Sequence, residues 1–202
     1  MCGFLGYIDF KEKVDSQTFE LALETLHTRG PDKTNVYYSD NIAFGHKRLS
    51  IIDLSDKASQ PMINSNKRYV IVFNGEIYNF KDIRKEIGDF GFEWKSNSDT
   101  EVILNAYHKW GSDCLKKFEG MFAFVIWDIF TKTLFAARDR VGVKPFFYAL
   151  KENSFIFASR PKAILSMNYN KTNSLNKEAL NIYLNAGYVP SPHSIHQGVK
   201  QL

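Results

Sequence analysis

The chain begins Met1-Cys2-Gly3-Phe4-Leu5-Gly6-Tyr7-Ile8-Asp9. Residues 4–9 are a short, mainly apolar run of the kind that forms a buried strand, and a cysteine lies just before them. We therefore predict that Cys2 is held close to a sheet. Removal of Met1, which a small second residue permits, would leave a thiol and a free α-amine on this one residue.

A terminal cysteine can supply both the nucleophile and the base of a hydrolase. An unperturbed α-amine has a pKa of about 7.7–8.0, so part of it can take the thiol proton near neutral pH and later protonate a leaving amine. The histidines show no metal-ligand spacing, and none is marked as a partner of Cys2. The alternative is that the cysteine at the second position is accidental.

Two interpretations are open for Asn74-Gly75-Glu76, which follows a predicted strand at residues 69–73. Asn-Gly is a strong turn signal, so the first interpretation is a hairpin turn that ends the strand. In a cysteine hydrolase, however, the Asn74 amide and the Gly75 N–H could together hold the oxyanion of a tetrahedral intermediate.

Arg48 and Asp99 are the candidate charged ligands. Arginine is suited to a bidentate grip on a carboxylate, and Asp99 could take an ammonium group, so the pair would bind a zwitterion. Asp99 lies in Ser98-Asp99-Thr100-Glu101, which has the form of a capping box before a helix. The alternatives are a surface salt bridge for Arg48 and a helix-dipole role for Asp99.

The hydrophobic pattern predicts two long helices and about nine strands. One helix begins at Ser16 and is closed by Gly30-Pro31-Asp32, and the other runs from Ser98 to Trp110. Strand-like runs lie at residues 4–9, 36–38, 42–44, 69–73, 121–128, 133–138, 146–149 and 154–158, the last four in the manner of a meander. Because helices and strands do not alternate regularly, we predict an α+β fold with antiparallel sheets.

The composition excludes several classes of protein. The 202 residues are 44% hydrophobic and include 17 Phe and 10 Tyr, which rules out disorder. No apolar run approaches the roughly 20 residues of a membrane helix, and no signal peptide is visible. The net charge of +4 is spread along the chain, which argues against nucleic acid as a partner. With only Cys2 and Cys114, a disulfide framework is excluded and a cytoplasmic location is expected.

A domain boundary is expected where the chain turns polar, at residues 166–174. Residues 1–166 would form the main domain, and residues 167–202 a linker and the start of a truncated second domain. The second part contains a helical pattern of Leu175, Ala179, Ile182 and Tyr183. Residues 187–202 carry little that could pack, so the chain looks like a fragment of a longer protein.

Seven ordered motifs resemble those of the class II glutamine amidotransferase domain, an N-terminal-nucleophile hydrolase, and in particular the glutaminase half of glutamine-dependent asparagine synthetases. They cover nearly the whole chain and are Met1-Cys2-Gly3, His27-Thr28-Arg29-Gly30-Pro31-Asp32, His46-Lys47-Arg48-Leu49-Ser50-Ile51, Asn74-Gly75-Glu76-Ile77-Tyr78-Asn79, Ser98-Asp99-Thr100-Glu101, Gly120-Met121-Phe122-Ala123-Phe124 and Arg138-Asp139-Arg140-Val141-Gly142-Val143-Lys144-Pro145. One departure is Arg160-Pro161, where the family usually has an acid and no proline. This departure bears on the partner domain and the acceptor more than on glutamine hydrolysis.

The resemblance implies a four-layer αββα sandwich and a glutamine site. Cys2 would be the nucleophile, Asn74 and Gly75 the oxyanion hole, and Arg48 and Asp99 the anchors of the substrate's α-carboxylate and α-amine. The remaining implied pocket residues are Ile52 and Glu76, with Leu49, Ser50 and Ile51 beside them. The loop at residues 138–145 is interpreted as scaffold or as the edge of an ammonia exit.

The implied reaction is hydrolysis of L-glutamine to glutamate and ammonia through a Cys2 thioester, without a cofactor. In relatives, a C-terminal ATP-pyrophosphatase synthetase domain uses the ammonia, and ATP and Mg²⁺ are expected only in that domain. Its SGGxDS loop is absent from this sequence. The acceptor, aspartate or a sugar acid, stays open. Two alternatives also stay open. The chain could be an N-terminal-cysteine amidase that acts on another amide, or a degenerate, non-catalytic scaffold domain.

Overall fold

The computed structural model describes residues 1–88, 91, 93–167 and 174–202. The strands are β1 (Gly3–Asp9), β2 (Lys33–Ser39), β3 (Ile42–Arg48), β4 (Met62–Ile63), β5 (Tyr69–Ile77), β6 (Gly120–Asp128), β7 (Thr133–Arg138), β8 (Phe147–Lys151), β9 (Ser154–Ala158) and β10 (Lys200–Gln201). The α-helices are α1 (Ser16–Glu24), α2 (Phe80–Ile87), α3 (Asp99–Trp110), α4 (Pro161–Ser166) and α5 (Lys177–Ala186). Short 3₁₀ turns lie at His27–Arg29, Asp56–Ala58 and Gly111–Lys116.

These strands form two antiparallel sheets. The first sheet has the order β10-β8-β9-β1-β3-β2, and the second has the order β4-β5-β6-β7. β1 lies between β9 and β3, with Gly3 opposite Lys47, so the residue before β1 is adjacent to the end of β3. The predicted antiparallel α+β class is confirmed, and the prediction that Cys2 is held beside a sheet is confirmed with it.

Three apolar clusters show how the layers stack. One cluster joins the facing sides of the two sheets through residues such as Phe4, Phe44 and Phe157 from the first sheet and Val72 and Val125 from the second. The outer side of the second sheet packs on α2 and α3, and the outer side of the first sheet packs on α1 and α4. The order helix, sheet, sheet, helix is the four-layer αββα sandwich that the resemblance implied. None of the helices described has the length and apolarity to span a bilayer.

Four aromatic rings pack together on the inner side of the first sheet. Phe146 stacks on Phe157 at a centroid distance of 5.9 Å, and Phe44 meets the same ring edge-on at 5.4 Å. Phe4 packs at 5.7 Å from Phe146. Because each fully buried Phe contributes roughly 1.5–3 kcal/mol and each aromatic pair about 0.5–1.5 kcal/mol more, this group stabilises the first sheet next to Cys2.

Two predicted element ends are wrong. The first helix ends at Glu24, and a separate 3₁₀ turn at His27–Arg29 leads to Gly30. The strand predicted to end at residue 73 continues to Ile77, because β6 pairs with it along its full length, including Gly75 opposite Phe122. Asn74-Gly75 is therefore part of a strand, and the hairpin interpretation is excluded.

The arrangement of the later strands also differs from the prediction. The expected four-strand meander is divided, because β6 and β7 belong to the second sheet whereas β8 and β9 belong to the first. The helices α2 and α4 were not predicted. Residues 187–202 pack more than expected, since β10 pairs with β8 and Val199 is buried against the first sheet.

The proposed domain boundary follows α4 directly. Part of the polar segment on which that boundary rests, residues 168–173, lies outside the described residues. Beyond it, the predicted helix is present as α5, with Asn176 as its N-cap. The assignment of residues 167–202 to a second domain stays a prediction.

His46 links the two sheets in the core. It lies on β3 of the first sheet, is 1% exposed, and its Nε2 is 3.1 Å from the Phe73 carbonyl of β5. Burial lowers the pKa of His46 to about 4, the hydrogen bond to Phe73 opposes this change, and the positive charge of Arg48 adds to it. The folded protein therefore holds a neutral imidazole at neutral pH.

We expect the free energy of unfolding to fall by about 3 kcal/mol through His46 as the pH drops from about 6.5 to 4. The sign follows because the unfolded chain takes up this proton near pH 6.5, whereas the folded chain takes it up only near pH 4. Urea unfolding across this range should show a smaller acid loss for His46→Gln than for the wild type. If the free energy of unfolding depends on pH in the same way in both proteins, His46 is not the source of the acid loss.

Candidate functional site

A cavity of about 180 Å³ opens beside the N-terminus. It is smaller than the roughly 300–1,000 Å³ of sites for drug-sized ligands, which suits a ligand of amino-acid size. Its walls come from the start of the chain, the loop after β3, the end of β5, the start of α3, and single residues of β6 and the loop after β7. The lining residues are Met1, Cys2, Arg48, Leu49, Ile51, Ile52, Asp53, Ala58, Gln60, Phe73, Asn74, Gly75, Glu76, Ser98, Asp99, Thr100, Met121 and Lys144.

The Cys2 thiol is anchored to the backbone of Leu49. Its Sγ accepts from the Leu49 N–H at 3.3 Å and lies 3.5 Å from the Leu49 carbonyl. Burial raises the pKa of the thiol, while the Leu49 N–H, the terminal amine, Arg48 and Arg29 act in the opposite direction. At neutral pH the resting group is therefore a thiol, and a base must take its proton before it can act as a nucleophile.

Arg29 and Asn74 hold the backbone of Cys2. Arg29 Nε donates to the Cys2 carbonyl at 2.9 Å. With its amide oriented to satisfy both neighbours, Asn74 donates to the same carbonyl at 3.1 Å and accepts from Arg29 Nη2 at 3.2 Å. Arg29 is a site residue that the sequence did not single out, although it lies in one of the quoted motifs. The glycine at position 30 lets the chain after Arg29 lie close to β3, because a Cβ there would overlap the backbone of Lys47.

Gly75 exposes a backbone donor to the cavity. A side chain at this position would overlap the Met121 carbonyl, so only glycine lets β5 lie this close to β6. Two N–H groups lie on the edge of β5 that faces away from β6. The Phe73 N–H donates to Gln60 Oε1 at 2.6 Å, and the Ile77 N–H donates to Asp99 Oδ2 at 3.1 Å. Because strand residues alternate, the Gly75 N–H lies between them on that edge, and no described side chain accepts from it.

Arg48 is buried and is held by backbone carbonyl groups. Its side chain is 7% exposed, and its guanidinium donates to the Ser55 carbonyl at 2.9 Å and to the Asp53 carbonyl. The Asp53 carboxylate itself accepts from the Asn97 N–H at 2.9 Å, which ties the loop after β3 to the start of α3. Within the described ranges Arg48 makes no ion pair, so the surface salt-bridge interpretation is wrong.

Asp99 is the matching buried anion. It is 5% exposed and makes no ion pair in the part of the chain described by the structure. Burial raises its pKa to about 6, the backbone hydrogen bonds from Ile77 and Thr100 lower it, and the nearby charge of Glu76 raises it further. Asp99 does lie in the first turn of α3, as expected, but a dipole role does not require a buried carboxylate on a cavity wall.

The capping box before α3 is only half formed. Ser98 Oγ accepts from the Glu101 N–H at 3.4 Å, as the motif predicts. The Glu101 carboxylate instead accepts from the N–H groups of Lys95 at 2.8 Å and Ser96 at 2.7 Å. These bonds hold the chain that enters α3 and so fix the position of Asp99.

Most of the predicted pocket residues meet at this cavity. Leu49, Ile51, Ile52 and Glu76 line it together with the residues described above. Ser50 does not line it, and its N–H donates to Asp32 Oδ2 at 2.8 Å. Lys144, from the loop interpreted as scaffold or exit, is part of the wall. Among the described residues no three His, Cys, Asp or Glu side chains are arranged to hold a metal ion.

Comparisons with known proteins all indicate the same family. The model of a family described as glutamine amidotransferase domain matches residues 1–202. Asparagine synthetase (glutamine-hydrolyzing) 3 of Bacillus subtilis is 46% identical over 82% of this chain and 28% of its own length. A putative asparagine synthetase (glutamine-hydrolyzing) 2 of Methanocaldococcus jannaschii is 38% identical over 100% of this chain and 42% of its own. The chain thus spans well under half of the length of these curated relatives.

The fold is shared with a solved amidotransferase. The structure of glutamine phosphoribosylpyrophosphate amidotransferase from B. subtilis superposes with a TM-score of 0.69 at 18% identity, covering 83% of this chain and 44% of that one. At this identity the likeness concerns the fold alone. It supports the four-layer αββα architecture described above.

We expect Asp99→Asn to stabilise the folded protein at alkaline pH. Because the folded-state pKa of Asp99 is raised to about 6, its stabilising contribution is present below pH 4 and is lost as the pH rises through 6. The variant has no such loss, so its free energy of unfolding minus that of the wild type should grow by about 2–3 kcal/mol between pH 4 and 7.5.

Urea unfolding at the two pH values measures this difference. Asp82→Asn, on the exposed side of α2, is the matched control and should show no comparable growth. If the free energies of unfolding of Asp99→Asn and the wild type differ by the same amount at both pH values, the burial of an uncompensated carboxylate is contradicted.

Proposed function

This chain belongs to the glutamine amidotransferase domain family, and we propose that it hydrolyses L-glutamine to glutamate and ammonia through a γ-glutamyl thioester on Cys2. One observation carries the proposal: a buried cation and a buried anion, both without ionic partners among the described residues, share a small cavity with a thiol. Leaving a charge buried and unpaired is costly, so such a pair is accounted for by a ligand that brings both opposite charges.

An α-amino acid has the required charges. Arg48 would take the α-carboxylate by a charge-assisted hydrogen bond, and Asp99 would take the α-ammonium group. Since the pKa of Asp99 is raised to about 6 in the free protein, the carboxylate is mostly ionised near neutral pH and ready for a cation. Glu76, Ile52, Leu49 and Ile51 would surround the side chain between these anchors and the thiol.

The chemical step would use the thiol and the amine of one residue. After removal of Met1, the α-amine of Cys2 takes the thiol proton, and the thiolate attacks the amide carbon of glutamine to form a tetrahedral intermediate. Collapse of the intermediate breaks the carbon–nitrogen bond while the ammonium returns its proton to the leaving nitrogen, releasing ammonia. Water, deprotonated by the same amine, then attacks the thioester and releases glutamate with regeneration of the thiol.

The oxyanion would be held by two donors of β5. The Gly75 N–H lies on the free edge of the strand, and Asn74 has two amide hydrogens, of which the Cys2 carbonyl uses one. Each oxyanion donor is typically worth about 10²- to 10³-fold in rate. Arg29 supports this arrangement by holding the Asn74 oxygen and the Cys2 carbonyl together.

The ammonia is proposed to serve an ATP-dependent synthetase domain, with aspartate or a sugar acid as acceptor. The names of the relatives, asparagine synthetase (glutamine-hydrolyzing), support this partner. ATP and Mg²⁺ would act on the acceptor, so no step of the hydrolysis is routed through them. A reducing cytoplasmic compartment would suit the two free thiols, Cys2 and Cys114.

Replacement of the nucleophile tests the reaction. With removal of Met1 verified by mass spectrometry, the protein should release glutamate from glutamine, and Cys2→Ala should abolish this turnover. Cys114→Ala, which removes the other, buried thiol, is the control and should retain it. Undiminished turnover in Cys2→Ala would refute the mechanism, and a chain that keeps Met1 and lacks turnover would favour the degenerate-scaffold alternative.

Replacement of Arg48 tests the recognition of the carboxylate. Arg48→Met should raise KM for glutamine about 10- to 100-fold with a small change in kcat, because binding common to ground and transition state is lost. KM for 4-aminobutanamide, which lacks the α-carboxylate, should be the same in both proteins. Arg68→Met, at the Arg68–Asp128 pair of the second sheet, is the control. An unchanged KM for glutamine in Arg48→Met would favour an amidase for a different amide.

A further inference from the structure

The loop after β7 is built to hold one side chain at the cavity. The Asp139 carboxylate accepts from the backbone N–H groups of Phe122 at 3.2 Å, Val143 at 2.8 Å and Lys144 at 3.0 Å. Arg138 donates to the carbonyls of Lys144 and Gly142, both at 2.6 Å. Two charged side chains thus fix the backbone on both sides of Lys144, whose own side chain is 5% exposed.

Lys144 has an unusual environment for a buried lysine. Its Nζ donates to Met1 Sδ at 3.2 Å, a weak acceptor, and within the described residues no carboxylate lies within 4.0 Å. Such an ammonium is desolvated and has no ion-pair partner among the described residues. Because both Lys144 and Cys2 line the cavity, the positive charge of Lys144 acts on Cys2.

The charges around Lys144 come from several elements. Burial and the positive charge of Arg29, before β2, disfavour the ammonium and lower the pKa of Lys144. Glu76 on β5, Asp139 on its own loop and the Cys2 thiol act in the opposite direction. Three cationic side chains, Arg29, Arg48 and Lys144, therefore act on Cys2.

Loss of Met1 changes what Lys144 faces. The thioether that accepts from Nζ leaves with Met1, and a new α-amine is created on the next residue. We propose that Lys144 is a positioning residue of the glutaminase reaction, whose ammonium keeps the Cys2 α-amine in the unprotonated form that can take the thiol proton. This inference rests on the proposed function of the same site.

The physical basis is repulsion between like charges, which disfavours a second ammonium group beside the first. With an ordinary pKa near 7.8, only about one α-amine in seven is free base at pH 7. A neighbouring charge that lowers this pKa by about one unit, at the low end of such effects, leaves about three in five α-amines as free base at pH 7. Lys144 would thus raise the active fraction at neutral pH about fourfold.

The test compares the pH dependence of kcat/KM for glutamine in the demethionylated wild type, Lys144→Met, Lys144→Gln and Lys144→Arg. Removing the charge should move the acidic limb up by about one pH unit, lowering kcat/KM about fourfold at pH 7 with little change at pH 9. Lys144→Arg, which keeps the charge, should stay close to the wild type. Lys144→Met and Lys144→Gln both remove the charge but differ in polarity. If one of them fails to fold, the other still tests the proposal.

A charge-removing variant with the wild-type profile, or with an equal loss at every pH, would overturn the proposal and indicate a structural role only. A second readout does not depend on glutamine hydrolysis. With the Cys2 thiol masked as a methyl disulfide, carbamylation of the α-amine by cyanate, followed by mass spectrometry against pH, reports its protonation directly. If the wild type lacks glutaminase activity, the proposed function fails, and the carbamylation profiles of wild type and Lys144→Met still decide the role of Lys144.

Discussion

The site depends on an uncovered strand edge. On one side β5 pairs with β6 along all of its length, whereas on the other side β4 pairs only with Val70 and Ile71. Beyond them, the N–H groups of β5 must find acceptors elsewhere, because a buried backbone donor without a partner is costly. Gln60 and Asp99 supply two of these acceptors, and the N–H between them belongs to Gly75. The same edge therefore positions a candidate anionic ligand-binding group and a candidate oxyanion donor.

Stability and ligand recognition are opposed in this cavity. Arg48 and Asp99 are buried without counter-ions among the described residues, and the raised pKa of Asp99 records the cost for the carboxylate. The protein holds both charges by hydrogen bonds to the backbone, from Arg48 to the Asp53 and Ser55 carbonyls and to Asp99 from the Ile77 N–H. These bonds orient the two groups without neutralising them. The proposed zwitterionic ligand would then gain the interaction that the fold leaves unsatisfied.

The N-terminal residue is held in place by the centre of the first sheet. β1 pairs on both sides, and the Cys2 carbonyl and thiol are each tied to neighbouring groups, to Arg29 and Asn74 and to Leu49. Removal of Met1 leaves these contacts intact, since none of them involves the Met1 side chain. The resulting amine would join a thiol, two oxyanion donors and a cluster of cations that were already in position. This preorganisation is what a reaction that relies on a single residue for nucleophile and base requires.

The sequence alone determined the α+β class, the antiparallel sheets, the strand at residues 133–138, the strand at residues 154–158 and the identity of the candidate nucleophile, because these follow from local periodicity and residue chemistry. Only the tertiary structure decided that Asn74-Gly75 lies in a strand, since a turn signal is overridden when a neighbouring strand can approach a residue without a Cβ. It also decided that the late strands divide between two sheets, that Arg29 contacts Cys2, and that Lys144 contacts Met1 at the same cavity. Such contacts join residues up to about 140 positions apart along the chain. Their physical basis is burial and pairing between distant segments, which no local sequence pattern encodes.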